Sequence, residues 1–289
     1  MNRLFLLKRS LIRCNGTSNE ASNFLQGIIT NDMKLFSEQN CIYTLFLNKL
    51  GRILYDSIIY KLPANVDEEK FIIECDTAIA DNLMRHLKFY RIRKKVDISL
   101  SDEHNIWFLS DSKKNIEYSN NVMPYIDPRI SDFGTRLITS KDFNLKEMLN
   151  ESLGSDEDYM EHRYKLGIGE GIVDLIPEKS FPLESNCDYM KGISFQKGCY
   201  IGQELTARTY HTGVVRKRLM PLIFEKKIVM NLNDNVDIKN EGKLSVGKLR
   251  NISGNYGLGL MRLEQTISSK SLNYNENPCT TEKPFWWPN

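Results

Sequence analysis

The sequence predicts an α+β chain that ends in a small all-β domain, and three observations carry the prediction. Short β-branched and aromatic runs alternate with helix-period runs through the first part of the chain. From Gly242 the texture changes to short strand-like segments broken by glycine and asparagine turns. A hydrophobic fraction of 41% and a charged fraction of 26% over 289 residues are those of a globular protein with one large domain or two to three smaller ones.

The elements follow in order. Ser10-Leu11-Ile12-Arg13-Cys14 alternates and then meets Asn15-Gly16, as an edge strand would. Arg3, Lys8, Arg9 and Arg13 precede the first acid, Glu20, so the same segment suits a mitochondrial transit peptide running into the first strand. Ser18 or Asn19 is placed to cap a helix through Ala21, Phe24, Leu25 and Ile28. Residues 43–47 and 52–60 read as strands joined by the turn Asn48-Lys49-Leu50-Gly51; 63–70 is a polar loop and 71–75 another strand. Asp76 then caps a helix with Ile79, Leu83, Leu87 and Tyr90 on one face. Arg91, Arg93, Lys94 and Lys95 crowd its end, where the helix dipole favours solvated cations.

Residues 113–121 and 142–158 are polar and read as surface loop or short helix. A boundary is expected near 216–221, followed by a barrel or sandwich containing Leu244, Val246, Leu249, Ile252, Leu258, Leu260 and Met261. The ending Pro284-Phe285-Trp286-Trp287-Pro288 is too aromatic for a free tail and should pack back onto the body.

A net charge of +2 does not by itself call for a nucleic-acid or membrane surface, and no apolar run reaches the ~18–20 residues that span a bilayer. Six cysteines are widely spaced with no CxxC pair, so Cys14, Cys41, Cys75, Cys187 and Cys279 read as reduced, buried thiols.

Cys199 is set differently, in Lys197-Gly198-Cys199-Tyr200-Ile201-Gly202-Gln203-Glu204. Gly198 and Gly202 permit a tight path and close approach by another molecule. The run Gln203–Arg208 is good helix material, so Cys199 should precede a helix N-terminus with Lys197 nearby, and both features favour thiolate. Three readings stay open: a nucleophile, a buried structural thiol, or a lone ligand to a metal cluster. A nucleophile needs a base in contact, and His211 lies ~18 Å away along a continuous helix. A cluster needs about four ligands, so a lone ligand requires thiolates from a partner.

KGCYIGQELTAR and the following His211-Thr212-Gly213-Val214-Val215-Arg216-Lys217-Arg218-Leu219 resemble the signature of the YgfZ-type branch of the folate-binding aminomethyltransferase-like family. The likeness continues through Phe24-Leu25-Gln26-Gly27-Ile28-Ile29-Thr30-Asn31-Asp32, Gly51-Arg52-Ile53-Leu54-Tyr55-Asp56, Tyr90-Arg91-Ile92-Arg93-Lys94-Lys95-Val96, Asp127-Pro128-Arg129 and Pro182-Leu183-Glu184-Ser185-Asn186. The basic N-terminus and the Trp286-Trp287-Pro288 ending bring it nearest to the mitochondrial iron–sulfur assembly members.

The resemblance implies two interleaved α/β lobes of the glycine-cleavage T-protein type in residues 1–215, the second lobe at roughly 41–118, and a β-barrel with aromatic tail in 216–289. It implies a matrix protein acting late in mitochondrial [4Fe-4S] maturation, with Cys199 sharing a cluster with an A-type scaffold protein. Lys197, Gly198, Tyr200, Gly202, Gln203, Glu204 and Arg208 would support that cysteine. Lys197, Arg208 and the Arg216-Lys217-Arg218 run would draw in an acidic partner face. Glu184, with Asp56, marks a tetrahydrofolate site. The alternative activity is tetrahydrofolate-dependent one-carbon transfer. The glycine-cleavage relatives tend to carry two adjacent acids where this chain has Tyr55-Asp56, so a non-catalytic monomer or hetero-complex is expected.

Overall fold

The computed structural model describes residues 3–110, 116–119, 121–230 and 236–288. Part of the polar stretch 113–121 therefore lies outside the described residues. Two five-stranded sheets pack face to face, and a closed six-stranded barrel follows them.

The first sheet has the order Cys41–Leu47, Ile53–Lys61, Glu68–Asp76, Arg9–Thr17, Val96–Ser101, antiparallel throughout. Its strands alternate between two cores, as the period of two requires. Ile12, Phe71 and Ile73 face helices Glu20–Gln26 and Ala80–Tyr90, meeting Phe24, Leu25, Leu83 and Leu87. Leu11, Ile58 and Ile72 face the opposite way and join Phe5, Ile106, Phe108 and Ile138 of the second sheet.

That second sheet has the order Ser152–Leu153, Arg3–Leu6, His104–Leu109, Thr135–Ser140, Val122–Ile126. The chain thus starts in the second sheet, builds the first, and returns, which interleaves the two lobes. The strand Arg3–Leu6 is part of this sheet, with Leu4 and Phe5 buried.

The strand at Arg9–Thr17 corrects one expectation. It lies inside its sheet, paired on one side with Glu68–Asp76 and on the other with Val96–Ser101. Alternation shows that a strand has two unlike faces; its neighbours come from more than fifty residues away and leave no local trace. Asn19 does occupy the helix N-cap position, in the left-handed region and without a side-chain cap bond. Asp76 caps the short 3-10 turn Thr77–Ile79, accepting from the Ala78 amide, and helix Ala80–Tyr90 follows with Ile79 at its own N-cap position and no side-chain cap bond.

Between the sheets lies a buried ionic cluster. Arg136 donates to Asp127, Glu74 and Glu170; Arg129 donates to Asp127 and pairs with Glu170; Arg9 pairs with Glu74. Arg163 binds Asp174 at 2.6 Å. Opposing charges at this spacing hold Asp127 below and Glu170 well below the usual carboxylate range, against the cost of burial.

The barrel runs in the order Lys217–Phe224, Tyr256–Arg262, Ser245–Ser253, Asp237–Asn240, Leu272–Tyr274, Asn277–Thr280. The tryptophans of the tail pack back, with Trp287 buried and Trp286 Nε1 donating to the Leu166 carbonyl at 2.8 Å, whereas Phe285 stays exposed.

Candidate functional site

Cys199 sits on an irregular loop ahead of helix Gln203–Thr212, with Gly202 at the N-cap position. It is exposed, whereas Cys14, Cys41, Cys75, Cys187 and Cys279 are buried. Burial pushes the thiols of Cys14, Cys41, Cys75 and Cys279 up to about 12, so they are inert as nucleophiles or ligands at neutral pH. Among the described residues nothing hydrogen-bonds the Cys199 sulfur. His211 instead lies edge-on to Tyr210, with Phe195 stacked on Tyr210 at 3.6 Å between centroids. The base that a nucleophilic cysteine needs is not at the thiol.

Lys197 does something other than the sequence suggested. Its ammonium donates to the carbonyls of Gln26, Ile29 and Asn31 at 2.7–2.8 Å, which uses all three of its hydrogens. Burial pulls it down to about 8, with Asp32 opposing. It anchors the cysteine loop to residues 26–31. Further ties run from the Ile201 amide to the Gly27 carbonyl and from the Ser194 amide to the Thr30 carbonyl. Gln203 accepts from the Tyr200 amide at 3.1 Å and braces the turn beneath the thiol.

The two glycines of the motif divide the work expected of both. A Cβ at Gly198 would meet nothing within 4 Å, so the space beside Cys199 is open. Gly202 has φ +79°, and a Cβ there would stand 2.3 Å from the Asn48 carbonyl oxygen. Its requirement is internal, set by the turn at 48–51. Glu204 and Arg208 are exposed on the helix.

The basic run at 216–218 is also divided. Arg218 is buried, pairs with both carboxylate oxygens of Asp188 at 2.8 Å, and stacks on Tyr189 at 3.7 Å. It fastens the loop to the barrel and offers nothing to a partner. Arg216 stays exposed, and Lys217 lines a cavity.

That cavity, of about 390 Å³, is the second feature of the site. Glu184 lines it together with Phe181, Leu205, Thr206, Val214 and Lys217. The Leu219 amide donates to the Glu184 carbonyl, which ties the acid's backbone to the barrel. Burial raises the Glu184 carboxyl, with Lys217, Arg250 and Arg52 opposing. Among the described residues the buried Thr206 hydroxyl has no hydrogen-bond partner. Apolar walls, one half-buried acid and an unpartnered hydroxyl fit a flat, hydrogen-bonding heterocycle, in the size range of small-molecule sites. Sequence reasoning placed Glu184 at a ligand site but gave Phe181, Thr206 and Lys217 no part in one, although Thr206 and Lys217 fall inside the quoted motif.

Asp56 does not join Glu184. It is buried, accepts from the Gly171 amide at 3.1 Å and lies 3.7 Å from Arg9, inside the ionic cluster. Tyr55 points to the other face of the strand, against Phe46 and His86. Neither lines the Glu184 cavity, so neither stands ready there as a proton donor.

Two packed sheets, an interleaved chain start and a closed C-terminal barrel define an aminomethyltransferase-type fold. The crystal structure of glycine cleavage system aminomethyltransferase T from Bartonella henselae matches with a TM-score of 0.74, over 99% of this chain and 86% of that one. At 12% identity the likeness is one of fold. Residues 216–289 match the family described as CAF17, C-terminal beta-barrel domain. The mitochondrial iron-sulfur cluster assembly factor IBA57 of Mus musculus is 36% identical over 97% of this chain and 84% of its own. The Homo sapiens protein is 36% identical over 97% and 83%. The chain belongs to the IBA57 family of mitochondrial iron–sulfur cluster assembly factors.

Proposed function

We propose that this protein acts in the mitochondrial matrix, late in [4Fe-4S] protein maturation, and that Cys199 supplies one thiolate to a cluster shared with an A-type scaffold protein. One observation carries the reading: among the described residues the exposed cysteine has no hydrogen-bond partner, and it rides on a loop locked by the three hydrogen bonds of Lys197. A held but unpaired thiol suits a bridging ligand, because little loop entropy is lost when the partner's thiolates arrive. Among the described residues no three His, Cys, Asp or Glu side chains converge to hold a metal. A cluster at Cys199 therefore takes its remaining ligands from another chain.

The cluster is cargo here, and the work of this chain is to present one sulfur at a fixed place. Tetrahydrofolate is the small molecule we assign to the Glu184 cavity. Glu184 would accept from the pterin amino and ring N–H groups, and Thr206 would use its free hydroxyl. Transfer chemistry is disfavoured, since Tyr55 and Asp56 both lie outside that cavity.

Anaerobic reconstitution with an A-type scaffold tests the proposal, read by size exclusion with visible absorbance. A coloured heterocomplex should form with the native chain and fail with Cys199→Ala. A cluster-loaded chain eluting alone, or a coloured complex with Cys199→Ala, would overturn the shared-ligand mechanism.

A further inference from the structure

The end of helix Ala80–Tyr90 carries a surface that neither the Cys199 loop nor the Glu184 cavity uses. Between Arg85 and Lys95 stand six cations, Arg85, Lys88, Arg91, Arg93, Lys94 and Lys95, and no acid. Leu83 and Leu87 are spent on the sheet, while Phe89 and Ile92 are each 69% exposed. The chain turns at Arg93, with φ 60°. Arg91 is held by the Val96 carbonyl and Arg85 by Asn82. Among the described residues Lys88, Arg93, Lys94 and Lys95 have no carboxylate partner. Asp81 lies at the far end of the helix, and Asp97 is the next acid along the chain.

Solvation alone accounts for such cations, but not for an aromatic and a β-branched side chain standing clear of the surface among them. The patch is also rigid. His86 contacts Phe46, Tyr55 and Tyr90, and Tyr90 meets Phe89 edge-on at 5.0 Å, which ties the helix end to the first sheet.

We propose that this helix end docks the protein peripherally on an anionic phospholipid bilayer, with Phe89 and Ile92 entering the interface and the six cations meeting lipid phosphates. Among the described residues no helix is long and apolar enough to cross a membrane, so the contact is with the surface. An acidic protein face would match the charge, but it would need a complementary pocket for each protruding side chain. A bilayer interface accepts apolar groups wherever they stand and adds attraction for each cation.

Flotation of the full chain with vesicles tests this, using phosphatidylcholine alone and phosphatidylcholine mixed with cardiolipin. Binding should require cardiolipin, fall as salt rises, and weaken roughly fivefold for each cation removed. The pair Lys94→Glu with Lys95→Glu should abolish flotation, and Phe89→Ser with Ile92→Ser should weaken it at every salt concentration. All four positions are exposed, so thermal melts should stay unchanged and separate lost docking from lost folding. Ile92→Trp should shift its fluorescence to the blue on cardiolipin vesicles. Failure to float with cardiolipin, or flotation indifferent to charge reversal, would overturn the proposal. So would tight binding to polyglutamate with no blue shift on vesicles, which would mark the patch as a site for acidic protein.

Discussion

Gly202 abuts Asn48 so closely that any side chain at Gly202 would strike the Asn48 carbonyl oxygen. The reverse face of the contact is also close, since a Cβ at Gly51 would lie 3.0 Å from the Gly202 carbonyl oxygen. Two sequence motifs more than 140 residues apart thus hold each other in place, and the cysteine loop rests on the hairpin turn.

This contact separates the two motif glycines. Gly202→Ala combines a positive φ with a backbone clash and should destabilise the fold by about 1–3 kcal/mol. Gly198→Ala should change stability by no more than about 0.5 kcal/mol, because nothing is near its Cβ. If the open space serves a partner, Gly198→Ala should still weaken the scaffold complex. Chemical denaturation of both variants, followed by pull-down with the scaffold, gives the comparison; equal denaturation midpoints would refute the assignment of Gly202.

Lys197→Met keeps the stem of the side chain and removes three charge-assisted donors. Three buried carbonyls lose their partners, so a cost of about 1.5–3 kcal/mol is expected. The loop should then become sensitive to limited proteolysis near Cys199, and cluster bridging should fall although the thiol remains. Rapid, native-like bridging by Lys197→Met would show that the loop needs no anchor.

Arg136 binds Glu74, Asp127 and Glu170 at once in a site closed to water. Arg136→Met should destabilise by about 3–5 kcal/mol, since it leaves buried carboxylates uncompensated. The pH dependence has a definite sign. Asp127 and Glu170 are held low in the folded state, so the stability they contribute is complete above the ordinary carboxylate range and is lost as pH falls through their depressed values. Asp56 is raised by burial and works in the opposite sense, costing stability once it ionises. Circular dichroism against pH should place native acid unfolding below the ordinary carboxylate range and that of Arg136→Met at higher pH.

Glu184 should make folate binding depend on pH. Its carboxyl is raised, and a pterin needs the carboxylate as acceptor, so affinity should be weakest in acid and rise through that raised value to a plateau. Glu184→Gln should flatten the profile and lower affinity by about 1.5–3 kcal/mol. Calorimetry with tetrahydrofolate across the acid range decides it. Absence of heat and of any thermal shift at high ligand would mean that the cavity holds something else.

Local chemistry by itself determined the hairpin with its turn at 48–51, the helical turn capped by Asp76, the helix start after Gly202 and the packing of the tryptophan tail. Each depends on a period, a cap or a turn written within a few residues. The motifs resembling the family likewise located Cys199 and Glu184. The strands His104–Leu109, Val122–Ile126 and Thr135–Ser140 escaped notice, because their apolar residues report burial without saying against what. Only the tertiary structure turned Lys197 toward residue 26, a partner 171 positions away, buried Arg218 on Asp188, and parted Asp56 from Glu184. A charged side chain in sequence looks the same whether it meets water, a carbonyl or a counter-ion. Its role is fixed by the groups that the fold brings to it, and those lie far along the chain.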